Sequence, residues 1–211
     1  MLPIIIKMNR FIMLSCLLMV PALVKAQELK SVSKVQLGIT YSSYGYSDFG
    51  TIRRQYGGTT YDGIDYAVTG LAYVYHLDDE VSLESGLQWA RHKLIRFPYA
   101  GPNDEQDSVY RPLNLLTVPM VMRFVPKKYF FWNAGVFLGL ELKGDDHFDN
   151  QSGIGTVVGF GWKYEFKEKI ELYLNPEFRW YSVVPFYLDQ NHHRLMEVSL
   201  RMGLLYRLPE N

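Results

Sequence analysis

The chain has 211 residues, 22 basic against 22 acidic side chains, 15% aromatic residues and a single cysteine. This length suits one domain, the even charge balance offers no basic footprint for nucleic acid, and a lone Cys16 excludes a disulfide framework. Sixteen Tyr and twelve Phe, with many β-branched residues, favour strands over helices.

Residues 1–26 have the layout of a secretory signal peptide. Lys7 and Arg10 supply the charged start, and Phe11 to Val24 is an apolar run broken by Ser15 and Pro21. Val24-Lys25-Ala26 then precedes an expected cut at Gln27, and Met8 is an alternative start. The run is shorter than the roughly 20 residues of a spanning helix. Cleavage would remove Cys16 and leave a slightly acidic mature chain with a short periplasmic lead, 27–33.

Strict alternation of apolar with polar or small residues follows, a period of two that marks strands. The first strand, 34–45, sets Val35, Leu37, Ile39 and Tyr41 against Gln36, Gly38, Thr40 and Ser42. The second, 63–77, is ambiguous in register, because Ile64, Tyr66 and Val68 are out of phase with Leu71 and Tyr73. The third, 81–97, opposes Val81, Leu83, Leu87 and Trp89 to Ser82, Glu84, Gly86, Gln88 and His92. The fourth, 113–125, sends Leu116, Val118, Met120, Met122 and Phe124 one way and Thr117, Pro119, Val121 and Arg123 the other. The fifth, 129–143, carries Trp132 to Leu142 on one face and Asn133, Gly135, Gly139, Glu141 and Lys143 on the other. The sixth, 154–166, sets Val158, Phe160, Trp162, Tyr164 and Phe166 against glycines, Lys163 and Glu165. The seventh, 170–184, sets Ile170, Leu172, Leu174, Phe178 and Trp180 against Glu171, Tyr173, Asn175, Glu177, Arg179 and Tyr181. The eighth, 195–208, opposes Met196 to Leu208 at even positions to Glu197, Ser199, Arg201 and Gly203.

Eight strands joined alternately by long polar loops and tight turns predict an all-β fold, an eight-stranded antiparallel up-and-down transmembrane β-barrel over 34–208. A soluble barrel would bury the apolar face instead. The polar face mixes charge with small glycines suited to a crowded lumen, whereas the apolar face carries Trp89, Trp132, Trp162 and Trp180 as a membrane girdle. The expected location is the outer membrane of a Gram-negative bacterium, with outer-membrane lipid as the first partner.

Arg201-Met-Gly203-Leu-Leu-Tyr206-Arg-Leu208 resembles the C-terminal signal read by the barrel-assembly machinery, with Arg201, Gly203, Tyr206 and Leu208 in the matching roles. It departs from that pattern in being followed by Pro209-Glu210-Asn211. Leu116-Thr-Val-Pro119-Met-Val-Met-Arg123-Phe124, then Asn133-Ala-Gly135 and Gly139, together with Leu87-Gln-Trp89, resemble the PorT-like outer-membrane β-barrel family of Bacteroidota. That resemblance implies the same barrel over the mature chain and accounts for a proline within a strand; most members carry no assigned activity.

The polar face offers a lumen network of Glu84, Gln88, Arg123, Glu141, Lys163, Glu177, Arg179, Glu197 and Arg201, with His92, Lys143, Glu165 and Glu171 beside them. Eight strands leave an interior just filled by side chains, and buried charges must pair. The expectation is therefore a largely plugged lumen and a structural or binding role through four extracellular loops, with Arg53, Arg54, Tyr56, Tyr61, Tyr99 and Tyr110 as contact residues. Any extracellular or periplasmic protein partner is unspecified. A narrow channel for small solutes or ions is the first alternative and a lipid-modifying enzyme the second. His192-His193 with Asp189, and Asp145-Asp146-His147-Phe148-Asp149-Asn150, lack the spacing of a known metal site. His193 and Ser199 are too far apart along the last strand to form a nucleophile and its base. No catalytic residue, metal or cofactor is expected.

Overall fold

Alternation forces each strand to give one face to one environment and the other face to a second. The computed structural model shows how eight such strands share them, describing residues 34–50, 60–97, 109–142, 149–166, 169–187 and 192–209. The strands are β1 (Val35–Gly50), β2 (Thr60–His76), β3 (Val81–Phe97), β4 (Val109–Lys127), β5 (Phe130–Glu141), β6 (Gly153–Phe166), β7 (Ile170–Pro185) and β8 (Arg194–Arg207). Each pairs antiparallel with its chain neighbours, and β8 pairs back to β1 to close the barrel. Closure removes the sheet edges, the condition for strands in hydrocarbon. The signal peptide and the lead, 1–33, lie outside the described residues.

Short turns after β2, β4 and β6 share one end with the two chain ends, and the long connections share the other. In outer-membrane barrels the short turns are periplasmic, which is the arrangement behind the sequence expectation of extracellular long connections.

β1 runs five residues further than its alternation predicts. A bulge against β8 between Ser42 and Tyr44 absorbs one residue, so the outward series passes from Leu37, Ile39 and Tyr41 to Tyr44 and Tyr46. In β2, Tyr66 and Val68 point into the lumen while Leu71 and Tyr73 face out. The ambiguity of that strand is therefore a real feature, since it is apolar on both faces.

Pro119 has a physical account. The β3–β4 ladder pairs Ser85 with Met120 and resumes only at Gln88 with Thr117, so the proline's missing N–H falls where no ladder bond is made. The Ser85 hydroxyl donates to the Pro119 carbonyl at 2.9 Å.

The outer surface is an apolar belt. Near the periplasmic end, Tyr129, Phe130, Trp132, Phe160, Trp162, Tyr164 and Phe166 pack edge to face or stacked around β5 and β6. On β3 the belt stops above Trp89, because the next outward side chains are Arg91 and Lys93, both exposed. Lys93 pairs with Asp65 at 3.0 Å on the outside of the wall. β3 continues for eight residues beyond Trp89.

Candidate functional site: the charge belt in the lumen

The inward residues of all eight strands meet in one interior, and their order along the barrel axis decides what it can do. At its middle, three glutamates and three arginines are almost wholly removed from solvent. Arg123 on β4 donates to Glu84 on β3 at 2.6 Å and to Glu171 on β7 at 2.8 Å. Arg201 on β8 reaches the other oxygen of Glu84 at 2.6 Å, and its Nε lies 3.1 Å from Glu177. Arg179 donates to Glu177 at 2.7 Å and to the Gln88 carbonyl at 2.8 Å. Asn175 Nδ2 donates to Glu177 at 3.2 Å. Lys163 extends the chain toward the periplasm, 3.5 Å from Glu171 and 2.7 Å from Glu165.

The result is a belt of alternating charge, Lys163–Glu171–Arg123–Glu84–Arg201–Glu177–Arg179, crossing the lumen between β3, β4, β6, β7 and β8. Each carboxylate is shared by two cations, which is how a crowded interior avoids an isolated buried charge. Arg123 also lies over the rings of Phe131 and Tyr173, at 4.5 and 4.6 Å, a cation–π geometry.

Apolar clusters pack against the belt, and the alternation did not foretell them. Ala72, Val74, Phe131, Tyr173 and Leu205 form one cluster, level with the belt, since Val74 pairs with Glu84, Tyr173 with Lys163 and Leu205 with Glu171. Val68, Ala90, Leu94, Leu113, Leu115 and Leu195 belong to another, nearer the long connections. Phe131 and Phe137 fill the lumen opposite Gly161 and Gly155, where any Cβ would strike the aromatic ring. The expected charged plug is thus interleaved with apolar side chains.

Of the sequence-predicted lumen residues, the structure joins Glu84, Gln88, Arg123, Lys163, Glu177, Arg179 and Arg201 in the belt. Glu197 is buried further out, accepting from Tyr181 OH at 2.9 Å, with His92 Nε2 at 3.6 Å. Glu141 stands apart, at the extracellular rim, where Gln151 N–H donates to it at 2.8 Å. Lys143 lies outside the described residues. Glu171, Tyr173, Asn175 and Tyr181 complete the network; their signal was their shared phase with Glu177 and Arg179 on β7.

Of the four tryptophans, Trp132 and Trp162 belong to the aromatic cluster near the short turns, Trp89 is exposed just before Arg91, and Trp180 pairs with Met196 toward the other end of β7. Of the C-terminal motif, Arg201 is engaged in the belt, Gly203 faces the lumen, and Tyr206 is exposed on the outer face. Leu208 lies one residue past β8, its N–H bonded to the Val35 carbonyl at 3.0 Å.

At the extracellular rim, His193 bonds Asp149 through its backbone N–H at 2.6 Å and its Nδ1 at 3.0 Å. His192 Nε2 is 3.2 Å from Ser182 Oγ. Among the described residues no three His, Cys, Asp or Glu converge to hold a metal. Arg53, Arg54, Tyr56, Tyr99, Asp145, Asp146, His147 and Asp189 lie outside the described residues, and for Tyr61 and Tyr110 only the strand backbone is described.

Known proteins give the same architecture. AlkL, an outer membrane protein solved in lipid bilayers, superposes with a TM-score of 0.55 at 10% identity, covering 87% of this chain and 97% of that one. OprG of Pseudomonas aeruginosa gives 0.48 at 14% identity, covering 82% and 95%. The N-terminal β-barrel domain of OprF from the same organism gives 0.39 at 14%, covering 82% and 98%. At these identities the likeness is one of fold, and of the three only the AlkL superposition is close enough to bear on it. No protein with a curated description matches in sequence. Residues 12–192 match the family described as outer membrane protein beta-barrel domain. That span and the closed eight-stranded barrel make the conclusion plain: the chain belongs to the outer membrane protein beta-barrel domain family, whose place is the outer membrane of Gram-negative bacteria.

Proposed function

We propose that this protein is a non-conducting outer-membrane barrel that works from its surface, in a binding or structural role carried by its extracellular connections. The observation behind this reading is the Arg123–Glu84–Arg201–Glu177–Arg179 belt, which spans the lumen with every side chain at most 4% exposed. To pass, a solute would have to break several charge-assisted bonds and displace the apolar side chains packed beside them. Kinship with the PorT-like barrels of Bacteroidota belongs to the same proposal. It is supported by Leu116 to Phe124, with Pro119 set in its ladder gap, and by the glycines of β5. The proposal includes no catalytic step.

A narrow ion path is the second reading. It draws on buried polar atoms that have no protein partner, among them the Asn133 amide, Tyr173 OH and Arg201 Nη2, which call for water. Liposome swelling separates the two. Vesicles carrying the folded barrel should swell no faster than empty ones in isosmotic glycine or arabinose; faster swelling overturns the closed reading.

A further inference from the structure

The outer wall carries a furrow of about 530 Å³ across β6, β7, β8 and β1. Register explains its course. Lys163, Tyr173, Gly203 and Thr40 are ladder partners from strand to strand. All four take the inward phase, so only their backbone faces lipid. On one side stand Tyr164, Leu172, Leu204 and Ile39, again partners in register. On the other stand Trp162, Leu174, Met202 and Tyr41. Both rows are exposed on the outer face, and the furrow is the gap between them.

Its dimensions suit one hydrocarbon chain. Rows of outward side chains two residues apart are separated by about 6.6 Å, and four neighbouring strands span about 14 Å. A single leaflet of a bilayer offers about 15 Å of hydrocarbon, half of its core. The aromatic side chains keep the gap clear. Trp162 packs edge-on against Phe160, centroids 5.8 Å apart, and Tyr164 packs against Phe166 at 4.6 Å. The two rings thus turn away from each other and leave the furrow open between them.

The furrow ends at a charge. At its β6 end the Lys163 N–H donates to the Tyr129 carbonyl at 3.0 Å, which sets the short turn after β4 against the floor. Tyr129 stacks on Tyr164 with centroids 6.3 Å apart, and the Lys128 ammonium stands 5.5 Å from the centre of the Tyr129 ring. Lys128 is exposed. This end is also the one nearer the short turns, since Tyr164 is two residues from Phe166, where β6 closes, whereas Ile39 is four residues beyond Val35, where β1 begins. The furrow therefore starts beneath a cation and rises obliquely into hydrocarbon. Lysine and tyrosine are the side chains that sit at headgroup level.

We propose that the furrow binds one phospholipid from the leaflet at the short-turn end, its phosphate on Lys128 beside Tyr129 and Tyr164 and one acyl chain along the backbone floor. The furrow is part of the lipid-facing belt, so lipid is the molecule that reaches it. Leucine, methionine and isoleucine along the walls supply apolar contact, and the ammonium anchors the phosphate as a point charge. The second chain stays in the surrounding bilayer, so a single-chain phospholipid meets the same site.

Native mass spectrometry of the full folded barrel in detergent, titrated with dipalmitoyl phosphatidylglycerol, reads the occupancy. The expected result is one retained lipid per barrel. Palmitoyl lysophosphatidylglycerol should displace it, and glycerol phosphate, which lacks the chain, should not. Leu204→Trp, which fills the furrow from its β8 wall, should weaken retention at least fivefold, and Lys128→Gln at least threefold. Val158→Trp, on the outer face of β6 clear of the furrow, should leave retention unchanged. Heat-modifiable migration of each variant establishes that it is folded. Equal retention by wild type and Leu204→Trp, or by wild type and Lys128→Gln, would overturn the proposal. So would paired barrels that separate in Leu204→Trp, which would give the furrow to a second copy of this chain.

Discussion

Arg201 of β8 reaches across the lumen to Glu84 of β3, 2.6 Å away and 117 positions earlier in the chain. The same carboxylate is held from its other oxygen by Arg123 of β4. Glu84 is therefore the keystone of the belt, tying three strands that are not all neighbours. Glu84→Gln leaves two buried guanidinium groups short of their counter-charge. Removing one partner of a buried pair costs about 3–5 kcal/mol. Urea unfolding of the barrel in detergent should show a loss of that order, against little change for the exposed pair variant Lys93→Gln. Equal stability of Glu84→Gln and wild type would mean that the belt is not what the lumen rests on.

Gly155 faces the ring of Phe137, with no room for a methyl group. Gly155→Ala forces that ring out of place, and overpacking of this kind costs about 1–3 kcal/mol. The double variant Gly155→Ala with Phe137→Leu should recover some of the loss in the same unfolding assay. Additive destabilisation of the two changes would contradict the contact.

The tryptophans should report two interfaces. In variants keeping one tryptophan each, Trp89, Trp132, Trp162 and Trp180 should all be quenched most by bromine placed near the glycerol backbone. Maximal quenching of Trp89 by bromine at the acyl-chain ends would move the outer boundary well above Arg91.

Tyr206 is exposed on the outer face of β8 and takes no part in the belt. If the C-terminal motif acts in assembly, Tyr206→Ala should lower the amount of heat-modifiable barrel in cell membranes severalfold. The same variant refolded in detergent should unfold within about 1 kcal/mol of wild type, as expected for a surface change. Equal losses in cells and in detergent would assign Tyr206 to stability instead.

The barrel was legible in the sequence because lipid enforces alternation: Phe160, Trp162, Tyr164 and Phe166 against Gly159, Gly161, Lys163 and Glu165 mark a two-faced strand, and the small glycines among the charges pointed to the polar face as the inner one. The strand that read poorly was β2, where Tyr66 and Val68 fill the lumen while Leu71 and Tyr73 face lipid. The inner apolar clusters were hidden for a related reason. Leu94, Leu113, Leu195 and Leu205 share a face with charged residues, and only the closed barrel brings such side chains together. Pairings such as Glu84–Arg201 depend on the stagger of the closed sheet, which no local pattern encodes.

The closed lumen is most directly tested by single-channel recording of the purified barrel in planar bilayers at 1 M KCl. Wild type should give no discrete steps. Regular conductance steps from the wild-type protein would contradict the account and make the belt a gate in an ion path.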